Sequence, residues 1–480
     1  MSFIFLGRIV QAGLALLALR VMTMMLSPEE VGRWSLLLAV TSFFVLGLVN
    51  PVGMFINRRL HDWVKYGKIE LYMRYYCIYL LSVAFLACVM LYVFNAFYIL
   101  VPDMSLIWLL SFVVVSIVFA TLNQTFTPSL NLLTYRGWFV LLTLATVAVS
   151  LCVSFAFVFY LEPNAELWQA GQLTGQVIMA VVGGTLFFVF AKRHQEKFVS
   201  HASMRMTQAK LALVFSFVWP LAFSVLFTWV QTQSYRFIVQ GSIGLEVLGL
   251  FVVGYGVAAS LIGIFESIIS TYFIPIFYKR VSSGDKREQA LAWHEYAKAM
   301  LASLCVVISV IISLSDEFAF VLLDKSFADA AQYILWGVAA EAARVTVATY
   351  ALLAHAGMDT KKLIIPNFLA AIAAPILVFV FVSAWVAHGV GMGLAFAGCI
   401  AIVSSHIVLS RSFDIIMPWT QLLRAGLIAL SLFFLALFVH GLLGVSGTFV
   451  ASLAWLVAGS VLLLSTLYMM LKVQINREGI

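Results

Sequence analysis

The sequence predicts an all-α polytopic membrane protein with about 14 transmembrane helices, formed by two six-helix lobes and two additional C-terminal helices. Three observations predict this fold: the composition, a succession of long apolar runs, and a short motif that occurs twice. Apolar residues make up 63% of the 480 residues and charged residues 10%, whereas soluble domains average about 45–50% and about 25%. So few charges cannot cover a water-exposed surface, and the chain is therefore expected to lie in a membrane.

The apolar runs give the number of helices, because a bilayer core needs about 20 apolar residues per spanning helix. The first run continues to residue 25 without the small-x-small cleavage site of a signal peptide, so it is interpreted as a retained helix. Short connectors separate the runs. The predicted spans are residues 4–25, 32–55, 71–98, 105–127, 138–160, 168–191, 211–238, 247–273, 297–314, 331–354, 363–386, 389–409, 421–441 and 448–471.

The distribution of Lys and Arg predicts the orientation. With the N-terminus in the cytoplasm, 22 of the 28 Lys and Arg residues fall in inner loops or at the termini. The predicted outer loops hold only Arg33 and Lys325 among the basic residues, and they carry acidic residues instead. This asymmetry follows the positive-inside rule, so both termini are predicted to be cytoplasmic. It also accounts for the net charge of +7 without nucleic-acid binding.

Two pairs of similar segments predict an internal duplication. The segment "LSPEEVGRWS" (Leu26–Ser35) is similar to "IGLEVLGLFV" (Ile243–Val252), and "LLTYRG" (Leu132–Gly137) is similar to "LLAHAG" (Leu352–Gly357), each about 220 residues further on. Repeats of six helices have the same topology, so the lobes are expected to be related by a pseudo-twofold axis along the membrane normal, with a substrate path between them. The predicted division is lobe 1–205, lobe 206–411 and helix pair 412–480.

Three segments resemble a known family. "LSPEEVGRWSLLLA", "SIGLEVLGLFVVGYGVA" and "FAFVLLDKSFADAAQYILWGV" (Phe318–Val338) are similar to the polysaccharide-transport branch of the MOP flippase superfamily, which includes O-antigen flippases. The resemblance implies an alternating-access flippase in the bacterial inner membrane. Its cargo would be an undecaprenyl-pyrophosphate-linked oligosaccharide, moved from the inner to the outer leaflet for a surface polysaccharide such as lipopolysaccharide or exopolysaccharide.

The same resemblance sets expectations about partners. Membrane lipids and the lipid-linked oligosaccharide are expected, H⁺ or Na⁺ is a candidate coupling ion, and a polysaccharide polymerase and glycosyltransferases are candidate protein partners. No cofactor is expected. The five cysteines lie in apolar runs and the histidines are scattered, so no disulfide framework or metal site is predicted.

Charged residues inside the spans are the candidate functional residues, because each costs roughly 2.5–3.5 kcal/mol at a helix centre and usually faces a cavity or a partner. Arg20 and Arg236 lie toward the outer ends of the first and seventh helices, where lining a cavity and reaching outward to headgroups are both open. Arg344 lies near the middle of the tenth helix. Arginine presents a planar fork of donors that matches pyrophosphate oxygens, so these three residues are predicted to bind substrate.

Two acidic residues are predicted to act in coupling or gating. Glu341 lies three residues before Arg344 on one helical face, which is consistent with an internal ion pair or with a pair that contacts substrate. Glu266 lies deep in the eighth helix and would either bind a coupling cation or proton, or pair with a cation of the lobe interface.

The seventh helix carries a polar stripe on an otherwise apolar sequence. Ser224, Thr228, Gln231 and Tyr235 recur at helical spacing, and the first three are predicted to contact the sugars in a wet cavity. Pro220 removes a backbone hydrogen bond, so a kink that makes this helix a gate is expected. The basic segment Ser282–Met300 is expected to lie on the inner membrane surface as an amphipathic helix.

Two other functions remain open. A multidrug or cation antiporter of the same superfamily would favour acidic residues in the cavity, whereas the first and seventh helices contain Arg and no acid. A membrane glycosyltransferase or ligase would need catalytic groups in sizeable outer loops, and the longest outer connector here, about residues 315–330, is short. The chain is therefore not expected to be an enzyme.

Overall fold

The computed structural model describes residues 2–97, 100–193, 208–281, 286–357, 359–443 and 449–478. These residues form helices joined by short connectors, and no strand occurs among them. The prediction of an all-α polytopic fold is confirmed. Thirteen helical segments are long and apolar enough to cross a membrane within the described part of the chain.

The helices follow one another along the whole chain. They are α1 Ser2–Met25, α2 Pro28–Phe44, α3 Asn50–Lys65, α4 Ile69–Phe97, α5 Leu106–Val115, α6 Thr121–Leu132, α7 Arg136–Tyr160, α8 Ala165–Arg193, α9 Gln208–Gln233, α10 Tyr235–Ile243, α11 Leu245–Val281, α12 Lys286–Ser313, α13 Ser315–Leu322, α14 Ala331–Ala356, α15 Ile364–Ser410, α16 Trp419–Leu443 and α17 Phe449–Glu478. Short 3₁₀ helices cover Lys325–Ala330 and Thr360–Leu363.

The longest candidate span, Thr360–Ser410, contains two of the predicted spans. Trp385 and Val386 interrupt α15 with non-helical backbone angles, and the φ of Val386 is 49°. The interruption lies at the end of the predicted run 363–386, just before the run 389–409 begins, so the 13 segments accommodate the predicted number of about 14 crossings.

The chain divides into two compact units, residues 1–240 and residues 241–480. In the first unit, α9 contacts α2 and α3, which is why the seventh predicted span groups with the N-terminal helices. The units are defined by contacts, whereas the predicted boundary between residues 205 and 206 concerns a duplication and stays a prediction.

Close packing of α7 on α8 forms part of the core of the first unit. Ser150 and Ser154 on α7 donate to the carbonyl oxygens of Gln172 and Trp168, at 3.1 and 3.0 Å. A Cβ atom at Gly175 would lie 2.5 Å from the Cα of Ser150. Glycine is required at this position because only a missing side chain lets the two backbones approach this closely.

Two π-helical turns interrupt helices of the first unit. Val45–Val49 lies between α2 and α3, and Ser116–Ala120 lies between α5 and α6, so each pair forms one continuous membrane-crossing segment. The Tyr79 hydroxyl donates to the carbonyl of Leu48 at 2.7 Å and satisfies an acceptor within the first turn. Such turns occur mostly as single insertions in α-helices and are frequent at functional sites.

The second unit is built on α11, α12, α14 and α15, and α16 packs on α12. Gly337 of α14 fits against α11, because a Cβ there would lie 2.8 Å from the Cα of Tyr255. The expectation of a surface helix over Ser282–Met300 is wrong. The described part of that segment is not a separate helix but the start of the continuous helix α12; its first residues are exposed, and Trp293, Ala297 and Met300 are buried against the second unit.

Candidate functional site

The repeated motif of the first unit organises the helix ends on the predicted outer side. Ser27 caps α2 by accepting from the backbone N–H of Glu30. The Glu30 carboxylate in turn accepts from the backbone N–H of Ala165 at 2.7 Å, at the start of α8. Trp34 donates from Nε1 to Gln169 Oε1 at 2.9 Å. The motif thus fixes the start of α2 against the start of α8, which explains its polar residues within an apolar sequence.

Arg33 lies at the centre of this arrangement and is only 9% exposed. Its guanidinium forms ion pairs with Glu30, with Asp103 at 3.2 Å and with Glu29 at 3.6 Å. A cavity of about 490 Å³ opens beside it. The residues lining this outer cavity are Arg33, Asp103, Ser105, Trp108, Glu162, Asn164, Glu166 and Leu167.

Arg236 contacts the backbone of α2. Its Nη1 donates to the carbonyl of Ser35 at 2.8 Å, and its guanidinium carbon lies 5.7 Å from the centre of the Tyr235 ring. On the preceding helix, α9, Trp229 Nε1 lies 3.0 Å from both the Ala39 carbonyl and the Ser42 hydroxyl. The outer part of the seventh span is therefore fastened to α2 by two side chains, within the first unit.

Arg20 is half-buried on α1. Its Nη1 is buried and has no hydrogen-bond partner among the described residues. An unpaired buried guanidinium nitrogen is costly, because it has lost water without gaining an acceptor. Arg8, near the start of the same helix, is exposed and donates to Gln11 at 3.0 Å.

The predicted polar stripe is interrupted. The seventh span consists of α9 and α10, and Ser234 lies between them. Ser224 is buried, Thr228 is exposed and donates to the Ser224 carbonyl at 3.1 Å, and Gln231 is half-buried. Pro220 lies inside α9 without ending it, so the interruption of this span falls at Ser234, nearly four turns further on.

Four side chains of the second unit form one hydrogen-bonded chain. Tyr255 on α11 donates to Glu341 Oε1 at 2.6 Å, and Arg344 Nε donates to Glu341 Oε2 at 2.6 Å on α14. Arg344 Nη2 also lies 2.6 Å from Glu266 Oε2 on α11. The structure thus brings together three of the predicted residues, Glu266, Glu341 and Arg344, and adds Tyr255. We call these four residues the carboxylate–arginine cluster.

Exposure differs across the carboxylate–arginine cluster. The side chain of Glu341 is 6% exposed, that of Glu266 23% and that of Arg344 40%. Gly263, one turn before Glu266, has no atom within 4 Å of the position that a Cβ would take. The side chain of Arg344 is therefore partly exposed, while that of Glu341, with which it pairs, is buried.

Charge in this cluster does not balance. Two carboxylates face one guanidinium, so the group carries one net negative charge when all three are ionised. Both oxygens of Glu341 are occupied, whereas the described partner of Glu266 is Arg344 through one oxygen. Glu266 is consequently the carboxylate best placed to exchange its partner.

Some of these contacts had a signal in the sequence and others had none. Tyr255 lies about three turns before Glu266 on the same helical face, so helical spacing could have linked it to the cluster. The pairing of Arg236 with the carbonyl of Ser35 has no signal in the spacing of side chains, because it is a backbone contact distant in sequence. Arg20 and Arg236 lie in the first unit and Arg344 in the second. No group of three or more His, Cys, Asp or Glu residues that could hold a metal occurs in the described ranges.

No protein-family model matches the sequence, and no curated protein matches it. Solved structures do match. The lipid II flippase MurJ in an inward closed conformation aligns with a TM-score of 0.63 and 15% identity, covering 98% of both chains. An inward-facing MATE family multidrug resistance transporter of the MOP superfamily aligns with a TM-score of 0.61 and 12% identity, over 84% of this chain and 98% of that one.

A third similar structure is a MOP superfamily transporter from Pyrococcus furiosus, whose description reports reversed polarity of the binding pocket. It aligns with a TM-score of 0.51 and 12% identity, over 85% of this chain and 94% of that one. At these identities the likeness concerns the fold, which is that of MOP superfamily transporters. The predicted fold class is thus confirmed as a whole-chain similarity.

Proposed function

We propose that the protein is a flippase that moves an undecaprenyl-pyrophosphate-linked oligosaccharide from the inner to the outer leaflet of the bacterial inner membrane. The observation that carries this proposal is the partly exposed side chain of Arg344, which two carboxylates hold on a membrane-spanning helix. Arginine in such a segment is costly unless it serves a partner. A pyrophosphate offers oxygens that match its donor fork.

The cluster supports a partner-exchange mechanism for Arg344. Glu266 and a pyrophosphate would compete for the same guanidinium, because each supplies anionic oxygens at hydrogen-bond distance. Binding of H⁺ or Na⁺ at Glu266 weakens its hold on Arg344 and favours the substrate-bound state. Glu341, whose two oxygens stay occupied, positions the arginine throughout. This exchange would couple a cation to transport, which is a linkage between two binding sites.

Arg20 and Arg236 are proposed as further contacts for the anionic headgroup. Arginine has five N–H donors, and the described acceptor of the Arg236 Nη1 atom is a single carbonyl. The buried Nη1 of Arg20 has no partner in the described part of the chain. Ser224, Thr228 and Gln231 are proposed to contact the sugars. Alternating access would arise from rocking of the two lobes, with Pro220 and the break at Ser234 allowing the seventh span to bend.

The remaining expectations are part of the same proposal. Both termini face the cytoplasm, the reaction is transport without covalent chemistry, and the glycan belongs to a cell-surface polysaccharide such as O-antigen. Glycosyltransferases would supply the lipid-linked oligosaccharide and a polymerase would receive it. The described solved structures with this fold are a flippase and transporters, which supports a role in transport.

Export of a surface polysaccharide tests the proposal. In a complementation strain, Arg344→Ala should lower export at least tenfold while Arg344→Lys retains part of it, since Lys keeps the charge but loses the planar fork. The double variant Glu341→Gln, Arg344→Ala separates loss of the ion pair from loss of substrate binding. Arg8→Ala is the matched control, because Arg8 is an exposed arginine near a helix start. Normal export by an Arg20, Arg236, Arg344 triple alanine variant at wild-type protein level would refute the charge-based mechanism.

A cation antiporter is the second candidate function. The net negative charge of the carboxylate–arginine cluster favours a cationic cargo such as a multidrug substrate. Efflux of ethidium or tetraphenylphosphonium from cells decides between the two. Efflux that depends on Glu266, with unchanged polysaccharide export, would favour the antiporter.

A further inference from the structure

We infer that the outer cavity of the first unit is a binding site for sugar rings of the transported glycan. That the sugar belongs to a transported glycan rests on the proposed function. That the ligand is a sugar rests on the residues that line the cavity. At about 490 Å³ the cavity falls within the range of about 300–1,000 Å³ typical of small-ligand sites. It lies on the side that the distribution of Lys and Arg predicts to be the outside.

Ion pairs and hydrogen bonds hold several of the polar residues that line the cavity in place. Arg33 is nine-tenths buried, and its Nε has no hydrogen-bond partner within the described ranges although its terminal nitrogens are paired. Asp103 is fixed against it in a left-handed backbone conformation, with a φ of 58°. Asn164 donates to Glu162 at 3.1 Å and accepts from the Leu167 N–H at 2.8 Å. These contacts hold the wall of the cavity in place.

Glu166 is the acceptor left available for a ligand. Its side chain is half-buried and lines the cavity, its carboxylate accepts from its own backbone N–H, and it forms no ion pair among the described residues. An ionised carboxylate accepts several hydrogen bonds and donates none. It therefore suits a ligand that brings hydroxyl donors, as a sugar ring does.

Trp108 supplies the apolar part of the site. Its side chain lines the cavity, the residue is 43% exposed, and its ring stacks on Phe112 at 5.2 Å between ring centres. An exposed, supported indole offers a flat apolar face together with a polar N–H. The C–H face of a pyranose ring can stack against this indole. The hydroxyls at the edge of the sugar ring then reach the carboxylate and amide groups of the cavity.

The charges of the cavity argue against other ligands. Asp103, Glu162 and Glu166 would repel a phosphate or pyrophosphate. Metal binding is not favoured either, because no convergent group of three His, Cys, Asp or Glu residues is found in the part of the chain that the structure describes. A ligand that is neutral and rich in hydroxyl groups satisfies both conditions.

Such a site would act after the pyrophosphate has crossed. Sugars held at the outer cavity are kept from returning, while the acidic wall repels the anionic headgroup. The arrangement separates recognition of the headgroup by arginines from recognition of the glycan by acceptors and an indole.

Saturation-transfer NMR on the purified full-length protein in lipid nanodiscs tests the inference. The probes are the methyl glycosides of N-acetylglucosamine, galactose, mannose and rhamnose. At least one should receive saturation from the wild type, and Trp108→Ala should weaken its binding roughly tenfold because the stacking surface is lost. Glu166→Gln, which keeps the shape, should weaken it several-fold because an amide oxygen accepts more weakly than a carboxylate.

Trp138→Ala is the matched control, since Trp138 is 41% exposed, has one described aromatic neighbour and lies in the same unit. It should leave binding unchanged. Equal binding by the wild type and Trp108→Ala, or no saturation of any of the four probes by the wild type, would overturn the inference. So would displacement of the probes by tetraphenylphosphonium at equimolar concentration, which would identify a cation site.

Polysaccharide export distinguishes this inference from the proposed function. If the site serves the cargo, Trp108→Ala and Glu166→Gln lower export and Arg344→Ala leaves probe binding intact. Loss of probe binding with full export would refute the assignment to the cargo while leaving the flippase proposal standing. Absence of export by the wild type in every strain would refute the flippase proposal, whereas probe binding would still report on the cavity.

Discussion

Removal of the Glu341 carboxylate should destabilise the protein more than removal of Glu266, although both pair with Arg344. Glu341 is 6% exposed and accepts two hydrogen bonds of 2.6 Å, from Tyr255 and from Arg344. Side-chain hydrogen bonds in membrane proteins contribute about 0.6 kcal/mol on average, with model peptides at about 1–2 kcal/mol. Bonds to a charged acceptor lie at the upper end.

The expected loss for Glu341→Ala is therefore about 2–4 kcal/mol, since a tyrosine hydroxyl and one guanidinium nitrogen both lose their acceptor. Glu266 is 23% exposed and contributes one contact to an arginine that is itself 40% exposed. Solvent screens that contact, so Glu266→Ala should cost about 1 kcal/mol or less. Burial, and not the distance of the ion pair, decides the order.

Equilibrium unfolding in mixed micelles of sodium dodecyl sulfate and a mild detergent, followed by tryptophan fluorescence, measures both losses. Adding Tyr255→Phe to Glu341→Ala should recover about 1 kcal/mol, because it removes a hydroxyl that has lost its hydrogen bond to the Glu341 carboxylate. Glu246→Ala, at an exposed position in the first turn of α11, should stay within about 0.5 kcal/mol of the wild type. Equal losses for Glu341→Ala and Glu266→Ala would refute the reasoning from burial.

Three further outcomes are expected. In a cysteine-free background, an impermeant maleimide added to intact cells should label Pro163→Cys and not Tyr66→Cys, and the reverse pattern would contradict the predicted orientation. Gly175→Ala should cost about 1–3 kcal/mol in the same unfolding assay, because its Cβ would meet the Ser150 backbone. Gly13→Ala, where no atom lies within 4 Å of the new Cβ, should stabilise the protein by up to about 1 kcal/mol. Equal effects of the two substitutions would exclude close packing as the cause. Trp229→Phe should cost about 1 kcal/mol through loss of its N–H donor to α2, while Trp219→Phe, at a 41% exposed position, should be neutral.

Properties encoded locally were predictable from the sequence. Hydropathy located the spans because a bilayer imposes length and composition on each helix separately. The Glu341–Arg344 pair followed from spacing on one helix, and it is present at 2.6 Å. The described part of Ser282–Met300 was misassigned because its charged residues suggested a polar face, whereas Trp293 and several alanines of the same segment are buried in the core of the second unit.

Contacts between distant segments were not predictable in the same way. Arg33 was assigned to an outer loop, and its guanidinium pairs with Asp103, which is 70 residues away. Arg236 was predicted to bind substrate, with a cavity position and an outward one both open, and its Nη1 donates to a backbone carbonyl of α2. Side-chain periodicity carries no information about either partner, because helix packing places them. Whether Arg20, Arg236 and the stripe residues bind substrate remains a prediction.

The two π-helical turns bear on how relatives of this chain can be aligned and altered. Each turn, at Val45–Val49 and at Ser116–Ala120, holds one residue more than an α-helix would need for the same rise. Deleting a single residue there would restore regular winding and leave the faces of the following helix nearly unchanged, because the wide turn already takes up the extra residue; the same deletion in a regular α-helix would rotate everything that follows by about 100°. A one-residue gap at either turn would therefore mark a relative that lacks the wide turn but presents the same faces of α3 and α6, whereas a gap elsewhere in these helices would change them.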